Sequence, residues 1–179
     1  MRVLVIGASG MLGTDLVAEL ARRGLAILAP DERELDITHP TSTAELAIGR
    51  FAAPWVVNCA AYTAVDRAEA EPAAATMVNT LGAGYVARAC SIAGARLLHV
   101  STDFVFDGEA DRPYVETDRT RPMSVYAASK WLGERFALKR FPTERQAKAI
   151  DLGSFPAGIN HRVTNRDFVL LPNLLKLGA

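Results

Sequence analysis

Tyr126 and Lys130 stand four residues apart in the stretch Tyr126-Ala127-Ala128-Ser129-Lys130. On a helix that spacing puts both side chains on one face, a turn apart. A tyrosine phenol, with a reference pKa of about 10, is by itself a poor acid or base at neutral pH. A neighbouring ammonium favours the phenolate, so the pair can act as a tuned proton donor or acceptor. Such pairs also arise by chance on amphipathic helices, and their meaning depends on what lies beside them. Thr102 is the companion candidate. It comes after the strand-like run Arg96-Leu97-Leu98-His99-Val100 and precedes Tyr126 by 24 residues. A loop that folds back between them brings hydroxyl and phenol to one substrate oxygen.

These groups need a scaffold. Arg2-Val3-Leu4-Val5-Ile6 reads as a strand buried on both faces, as in a parallel sheet. Gly7-Ala8-Ser9-Gly10-Met11-Leu12-Gly13 comes next, then a helical pattern from Asp15 to Arg23. Strand, glycine-rich turn and helix N-terminus are the context a dinucleotide pyrophosphate needs. The glycines permit a tight turn and close backbone approach, and the helix end supplies N–H groups and the positive end of its dipole. The spacing is G-x-x-G-x-x-G, which makes Gly7, Gly10 and Gly13 candidate cofactor-binding residues. The competing reading is a turn whose glycines serve packing alone. A second strand, Leu25 to Ala29, leads to Asp31. An acid about twenty residues past the glycines binds adenosine ribose hydroxyls and favours NAD. Arg33 close by suits a 2′-phosphate instead, so NADH and NADPH both stay open. Asp36, in Leu35-Asp36-Ile37, either approaches the adenine or lies in a solvated loop.

Thr41 to Phe51 predicts a helix. Trp55-Val56-Val57-Asn58-Cys59 predicts a third strand that runs out into Ala60-Ala61-Tyr62-Thr63. Small residues at the carboxyl end of a strand let a cofactor lie against the backbone. Val65 to Glu71 is a charged, helix-prone turn. Pro72 opens an alanine-rich helix to about Ile92, stopped by Gly94. Asn79 within it is either solvated or buried behind a cofactor. His99 reads as a core histidine on a fourth strand. Phe104 to Pro122 predicts a loop over the site, and Ser124 to Arg140 the helix that carries the Tyr–Lys pair. The alternation predicts an α/β fold, a doubly wound parallel sheet of the Rossmann type with helices on both faces.

Composition limits the function classes. Half of the 179 residues are hydrophobic, and 20 basic residues balance 20 acidic ones. That is ample for a core, and no single-sign run marks a nucleic-acid or membrane surface. No apolar run approaches the length of a membrane span. A strand pattern begins directly after Met1, with no signal peptide, and Cys59 and Cys90 have neither disulfide nor metal spacing. The expectation is a cytoplasmic protein with no metal and two small buried cysteines.

Longer motifs then carry a resemblance. Beside the glycine stretch and Tyr126-Ala127-Ala128-Ser129-Lys130 stand Asn58-Cys59-Ala60-Ala61-Tyr62-Thr63-Ala64-Val65-Asp66-Arg67-Ala68-Glu69, Val78-Asn79, and Ser101-Thr102-Asp103-Phe104-Val105-Phe106-Asp107-Gly108. Over about residues 1 to 138 the chain resembles the extended short-chain dehydrogenases/reductases, and within them the dTDP-4-dehydrorhamnose reductases. The resemblance implies NAD(P)H-dependent reduction of a dTDP-4-keto-6-deoxyhexose. Tyr126 would protonate the carbonyl oxygen, Lys130 would hold the nicotinamide ribose and lower the phenol's pKa, and Thr102 would hydrogen-bond the same oxygen with Asp103 beside the sugar. Gly10, Met11, Leu12, Asp31, Asp36, Ile37, Ala60, Ala61 and Tyr62 match the family's cofactor-contacting positions. A homodimer is the one protein partner allowed for.

The resemblance fades after the Tyr–Lys helix. Glu144-Arg145-Gln146-Ala147-Lys148 is too polar for the buried strand expected there, and Pro156 and Gly158 break the segment from Gly153 to Asn160. The expected organisation is a NAD(P)-binding Rossmann-type domain over 1–141 and a divergent tail over 142–179, a remnant of a substrate-binding region. Two other functions stay open: a non-catalytic dinucleotide-binding remnant, and a related nucleotide-sugar epimerase or dehydratase.

Overall fold

The computed structural model describes residues 2–43, 50–115 and 117–139. Four parallel strands form one sheet: β1 (Arg2–Ile6), β2 (Ala26–Leu28), β3 (Trp55–Asn58) and β4 (Arg96–His99), in the order β2-β1-β3-β4. Leu4 pairs with Val56 in register and Val56 with Leu97, so the apolar runs stack side by side. Alternate residues of β1 face opposite sides, as the pleat requires. Leu4 and Ile6 join Val56 and Leu97 in one core layer, whereas Val3 and Val5 join Trp55 and Val57 in the other.

Each layer is closed by helices. Helix α1 (Met11–Arg22) lays Leu16, Val17 and Leu20 on the Val3 and Val5 side. The opposite side is covered by α4 (Ala83–Ala93), through Val86, Ala87 and Cys90, and by Ala137 of α5 (Val125–Leu138). The fold is therefore α/β and doubly wound, as the sequence pattern predicts. The chain leaves β1 toward β2 and returns to the other side of β1 as β3. That reversal opens a crevice at the carboxyl ends of β1 and β3, where ligands bind in such sheets. Among the described residues no helix is long and apolar enough to cross a membrane.

The helices differ from the sequence reading in three places. The charged turn after Tyr62 is a short helix, α2 (Val65–Ala70). The alanine-rich helix is not uniform. It begins as α3 (Pro72–Thr76), with Pro72 in the first turn, widens into a π-helical stretch over Met77–Gly82, and resumes as α4, which ends at Gly94 in the left-handed region. The cause is the neighbouring helix. A Cβ at Gly133 of α5 would overlap the Asn79 carbonyl oxygen. The widened turn presents Asn79 and Thr80 to α5, where Thr80 Oγ1 donates to the Ser129 carbonyl at 2.8 Å. The helix expected from Thr41 to Phe51 covers residues 40–43 but does not include Arg50 or Phe51; residues 44–49 lie outside the described residues, as do 140–179 and with them the expected tail.

Helix α5 is capped at its start by two acceptors. Ser124 Oγ accepts the Ala127 N–H at 3.1 Å, and Glu69 of α2 accepts the Val125 N–H at 2.8 Å. These satisfy N-terminal donors that the helix itself cannot. Gly133→Ala should push α5 away from the π stretch and lower stability by about 1–3 kcal/mol, the usual range for overpacking. A urea midpoint equal to the wild type would show that the two helices have room to spare.

Candidate functional site

The turn between β1 and α1 sits at the crevice. Gly7 has φ +74°, and a Cβ there would come within 2.6 Å of the Ala60 backbone nitrogen. A Cβ at Gly13 would overlap the Gly7 carbonyl oxygen. Both glycines are therefore demanded by the packing of the turn. Gly10 is different. It caps α1, is exposed, and a Cβ there would meet only the Gly7 carbonyl oxygen, at 3.3 Å. Gly7 and Gly13 close the turn, and Gly10 is left open at the helix N-terminus. No acidic side chain occupies the first turn of α1. Unpaired N–H groups and the dipole there suit the pyrophosphate of a dinucleotide. Met11, 65% exposed, and the partly buried Leu12 flank it.

The candidate adenosine side is more mixed. Asp31 is exposed, and its Oδ1 accepts the N–H groups of Arg33 and Glu34 at 2.9 Å each, so that oxygen anchors its own turn. Asp36 is half-buried. Its carboxyl accepts from Thr38 N–H and Thr38 Oγ1, at 2.8 and 2.7 Å, and these bonds hold its pKa below the usual value. Ile37 is buried in the core, where its side chain packs at the position a Cβ on Gly82 would fill.

At the end of β3 the chain turns off the sheet along a buried polar network. Asn58 Oδ1 accepts the Ala60 N–H at 3.2 Å, and Asn58 Nδ2 lies 3.1 Å from His99 Nδ1. Burial, then the nearby Lys130 charge, holds His99 well below its ordinary pKa. A neutral imidazole accepts from Asn58 at Nδ1 and carries its proton on Nε2, which finds no partner among the described residues. This fits the core reading of His99. Next along, the backbone of Tyr62 is gripped at both polar groups by Asn79, whose Oδ1 accepts the Tyr62 N–H at 2.8 Å and whose Nδ2 donates to the Tyr62 carbonyl at 3.0 Å. Asn79 Nδ2 also donates to Ser129 Oγ at 3.0 Å. Asn79 is buried, not solvated. Ala60 and Ala61, half-buried, keep the strand end low between the glycine turn and α5.

Helix α5 brings the remaining candidates to the end of β4. Tyr126 and Lys130 are both buried, and Phe104 packs edge-on against the Tyr126 ring at 5.9 Å. Lys130 is only 2% exposed, and its Nζ donates to the Val100 carbonyl at 2.6 Å. Burial lowers its pKa to about 8, against the opposing pull of Glu134. Thr102 is buried and opens a 3₁₀ turn over Asp103–Val105, accepting the Phe104 N–H at 3.3 Å. Its own hydroxyl reaches Asp103 Oδ1 only at 3.4 Å, a long bond. The loop from Phe104 onward folds on itself through stacked Phe106 and Tyr114 and a two-bond Arg112–Asp118 pair. Among the described residues no group of three or more His, Cys, Asp or Glu is placed to hold a metal.

The structure thus ties β4's end, α5 and the π stretch into one cluster and sets the glycine turn beside it across β1 and β3. Sequence reading passed over three members: Ser101, Ser129 and Glu134. A signal for Glu134 was present, since it continues the Tyr126 and Lys130 spacing by one more turn. Ser101 had no such signal, because only the fold brings β4 to α5.

Known proteins resemble the chain. The RmlD substrate binding domain family matches residues 1–145. The dTDP-4-dehydrorhamnose reductase of Mycobacterium tuberculosis H37Rv is 42% identical over 181 residues, which is 99% of this chain and 56% of that protein. That of Streptomyces griseus is 48% identical over 141 residues, 79% of this chain and 46% of that one. A crystal structure of dTDP-4-dehydrorhamnose reductase from Bacillus anthracis, in complex with NADP, superposes with a TM-score of 0.76 at 37% identity, over 79% of this chain and 50% of the other. The chain spans about half the length of the curated relatives it matches.

Because the open cradle needs no side chain for its own packing, Gly10→Val should leave the chain folded and cost it the dinucleotide. NADPH fluorescence titration should show a loss of at least about tenfold in affinity, or about 1.4 kcal/mol, with an unchanged circular dichroism spectrum. Wild-type affinity in that variant would mean that Gly10 serves only the turn.

Proposed function

Because the chain belongs to the family of the RmlD substrate binding domain, we propose that it acts as an NADPH- or NADH-dependent reductase of the 4-keto group of a dTDP-4-keto-6-deoxy sugar, taking dTDP-4-dehydrorhamnose to dTDP-rhamnose. The observation that carries this reading is the desolvated Lys130 one turn from buried Tyr126, at the carboxyl end of β4, with β3 between it and the strand that leads to the Gly10 cradle. A buried ammonium one helical turn from a phenol suits a phenol that must part with a proton.

Gly10, Met11 and Leu12 hold the pyrophosphate in this proposal, in the turn that Gly7 and Gly13 close. Asp31, Asp36 and the backbone at Ile37 line the adenosine side, and Ala60, Ala61 and Tyr62 run under the dinucleotide toward Tyr126 and Lys130. When bound, the reduced dinucleotide supplies a hydride to the carbonyl carbon. Tyr126 Oη gives its proton to the carbonyl oxygen, which completes the alcohol, and the phenolate recovers a proton from solvent. The Lys130 ammonium stabilises that phenolate and holds the nicotinamide ribose. Thr102, whose hydroxyl proton is only loosely engaged by Asp103, donates to the same substrate oxygen, and Asp103 faces the sugar. The free thiols Cys59 and Cys90 suit a reducing cytoplasm, and a second copy of the chain as a homodimer is part of the proposal.

A second reading is a chain that binds the dinucleotide without turnover. A related epimerase or dehydratase is set apart by returning its cofactor to the starting state each cycle.

Oxidation of NADPH or NADH, followed at its absorbance band with the dTDP-4-keto sugar, separates these readings. Net oxidation supports the reductase; binding without oxidation supports the second reading. In a turning-over protein, Tyr126→Phe should lower kcat by about 10²–10⁴-fold, the usual worth of a positioned acid, and leave NADPH affinity within about twofold. An undiminished kcat in that variant would end the assignment of Tyr126 as the proton donor.

A further inference from the structure

The face of α5 that carries Tyr126 and Lys130 continues one turn further to Glu134, which is also buried. Its Oε1 accepts a hydrogen bond from Ser101 Oγ. Lys130 donates to the carbonyl of Val100, the residue before Ser101. Two ionisable side chains a turn apart on α5 thus take hold of two consecutive residues where β4 ends. A carboxylate taken out of water is costly, and an apolar side chain of similar volume often stabilises a fold as well or better. Its presence under the proton-donating pair therefore calls for a role.

The groups around Lys130 narrow that role. Among the described residues, Cys59 beyond β3, His99 on β4 and Glu134 on its own helix interact electrostatically with Lys130, and Tyr126 lies one turn before it on α5. Burial pushes the Cys59 thiol up to about 12, so it is uncharged at neutral pH. His99 is neutral as well, and as a cation it would oppose Lys130. Among the described residues, Glu134 is the carboxyl whose charge favours the Lys130 ammonium. Burial raises its own pKa, while the Ser101 hydrogen bond and the Lys130 charge lower it. The hydroxyl of Ser101 thus favours the ionised carboxyl where burial opposes it.

We propose that Glu134 is a positioning residue for Lys130: its buried carboxylate, held by Ser101, keeps the lysine an ammonium one turn from Tyr126. What the ammonium then does for the phenol rests on the reductase reading; the control of Lys130 by Glu134 belongs to the chain itself. The charges set the sign. An opposite charge nearby favours the charged form of a lysine, so its removal makes Lys130 give up its proton at lower pH.

The test reads that proton directly. In chain labelled with ¹³C-lysine, the Lys130 Cε signal is identified by its disappearance in Lys130→Arg and followed across pH 5 to 11 by NMR. The near-isosteric Glu134→Gln should move the inflection down by about one pH unit or more. Ser101→Ala, a smaller change, should move it the same way by less. Circular dichroism of each variant establishes that it is folded, and a folded Ser101→Ala suffices if Glu134→Gln does not fold. An inflection that stays in place in a folded variant overturns the proposal. In a chain with turnover, the alkaline limb of kcat against pH should move down with the inflection. No NADPH oxidation by the wild type, with the inflection still moved by the variants, would remove the reductase reading and leave this one standing. Oxidation with an unmoved inflection would do the reverse.

Discussion

Lys130 carries an ammonium group into a place with almost no access to water and gives it one carbonyl, that of Val100, as its short hydrogen-bond partner. Desolvation disfavours the charged form, and only close and fixed partners offset it. Helix α5 must therefore lie hard against the end of β4 and stay in register with it. The packing of the rest of the helix meets that demand. Gly133 removes the side chain that would hold α5 away from Asn79, Ser124 and Glu69 fix where the helix begins, and Thr80 and Asn79 bond to Ser129 midway along it.

The same closeness accounts for the π-helical stretch. A regular helix through Asn79 would project its side chain at another angle around the axis. Widened at Met77–Gly82, it turns Asn79 toward both Tyr62 and Ser129, so one amide joins the end of β3 to α5. Such stretches occur often at functional sites. Here it links the strand end that would run beneath a dinucleotide to the helix that would donate the proton.

On the other side of the crevice a stricter steric rule applies. Gly7 and Gly13 are held by contacts that a single methyl would break, and they let the turn curl tightly onto Ala60 and onto itself. Gly10 escapes that constraint and opens to solvent. The backbone is forced close at Gly7 and Gly13 and left open at Gly10, at the positive end of a helix, an arrangement that suits an anion.

The order of strands and helices was legible in the residues, because a parallel sheet covered on both faces needs unbroken apolar runs such as Val3 to Ile6, and because Gly24, Pro72 and Gly94 punctuate the helices between them. The positions of Gly10, Thr102, Tyr126 and Lys130 were legible as well, since each sits at a fixed offset from a strand end or on one helix face. Three things were not. Which glycine stays open depends on how near Ala60 and Gly7 come, a distance set by packing across β1 and β3. The close approach of the π stretch to α5 depends on Gly133, some fifty residues further along the chain, and local pattern holds no trace of so distant a contact. The pairing of Glu134 with Ser101 joins a helix to a strand end 33 residues away. The sequence by itself determined which chemical groups the chain owns and the faces and strand ends that carry them, because those are matters of local periodicity. The tertiary structure alone decided which groups leave water together, and with that their charges, since desolvation acts on neighbours in space and not on neighbours in the chain.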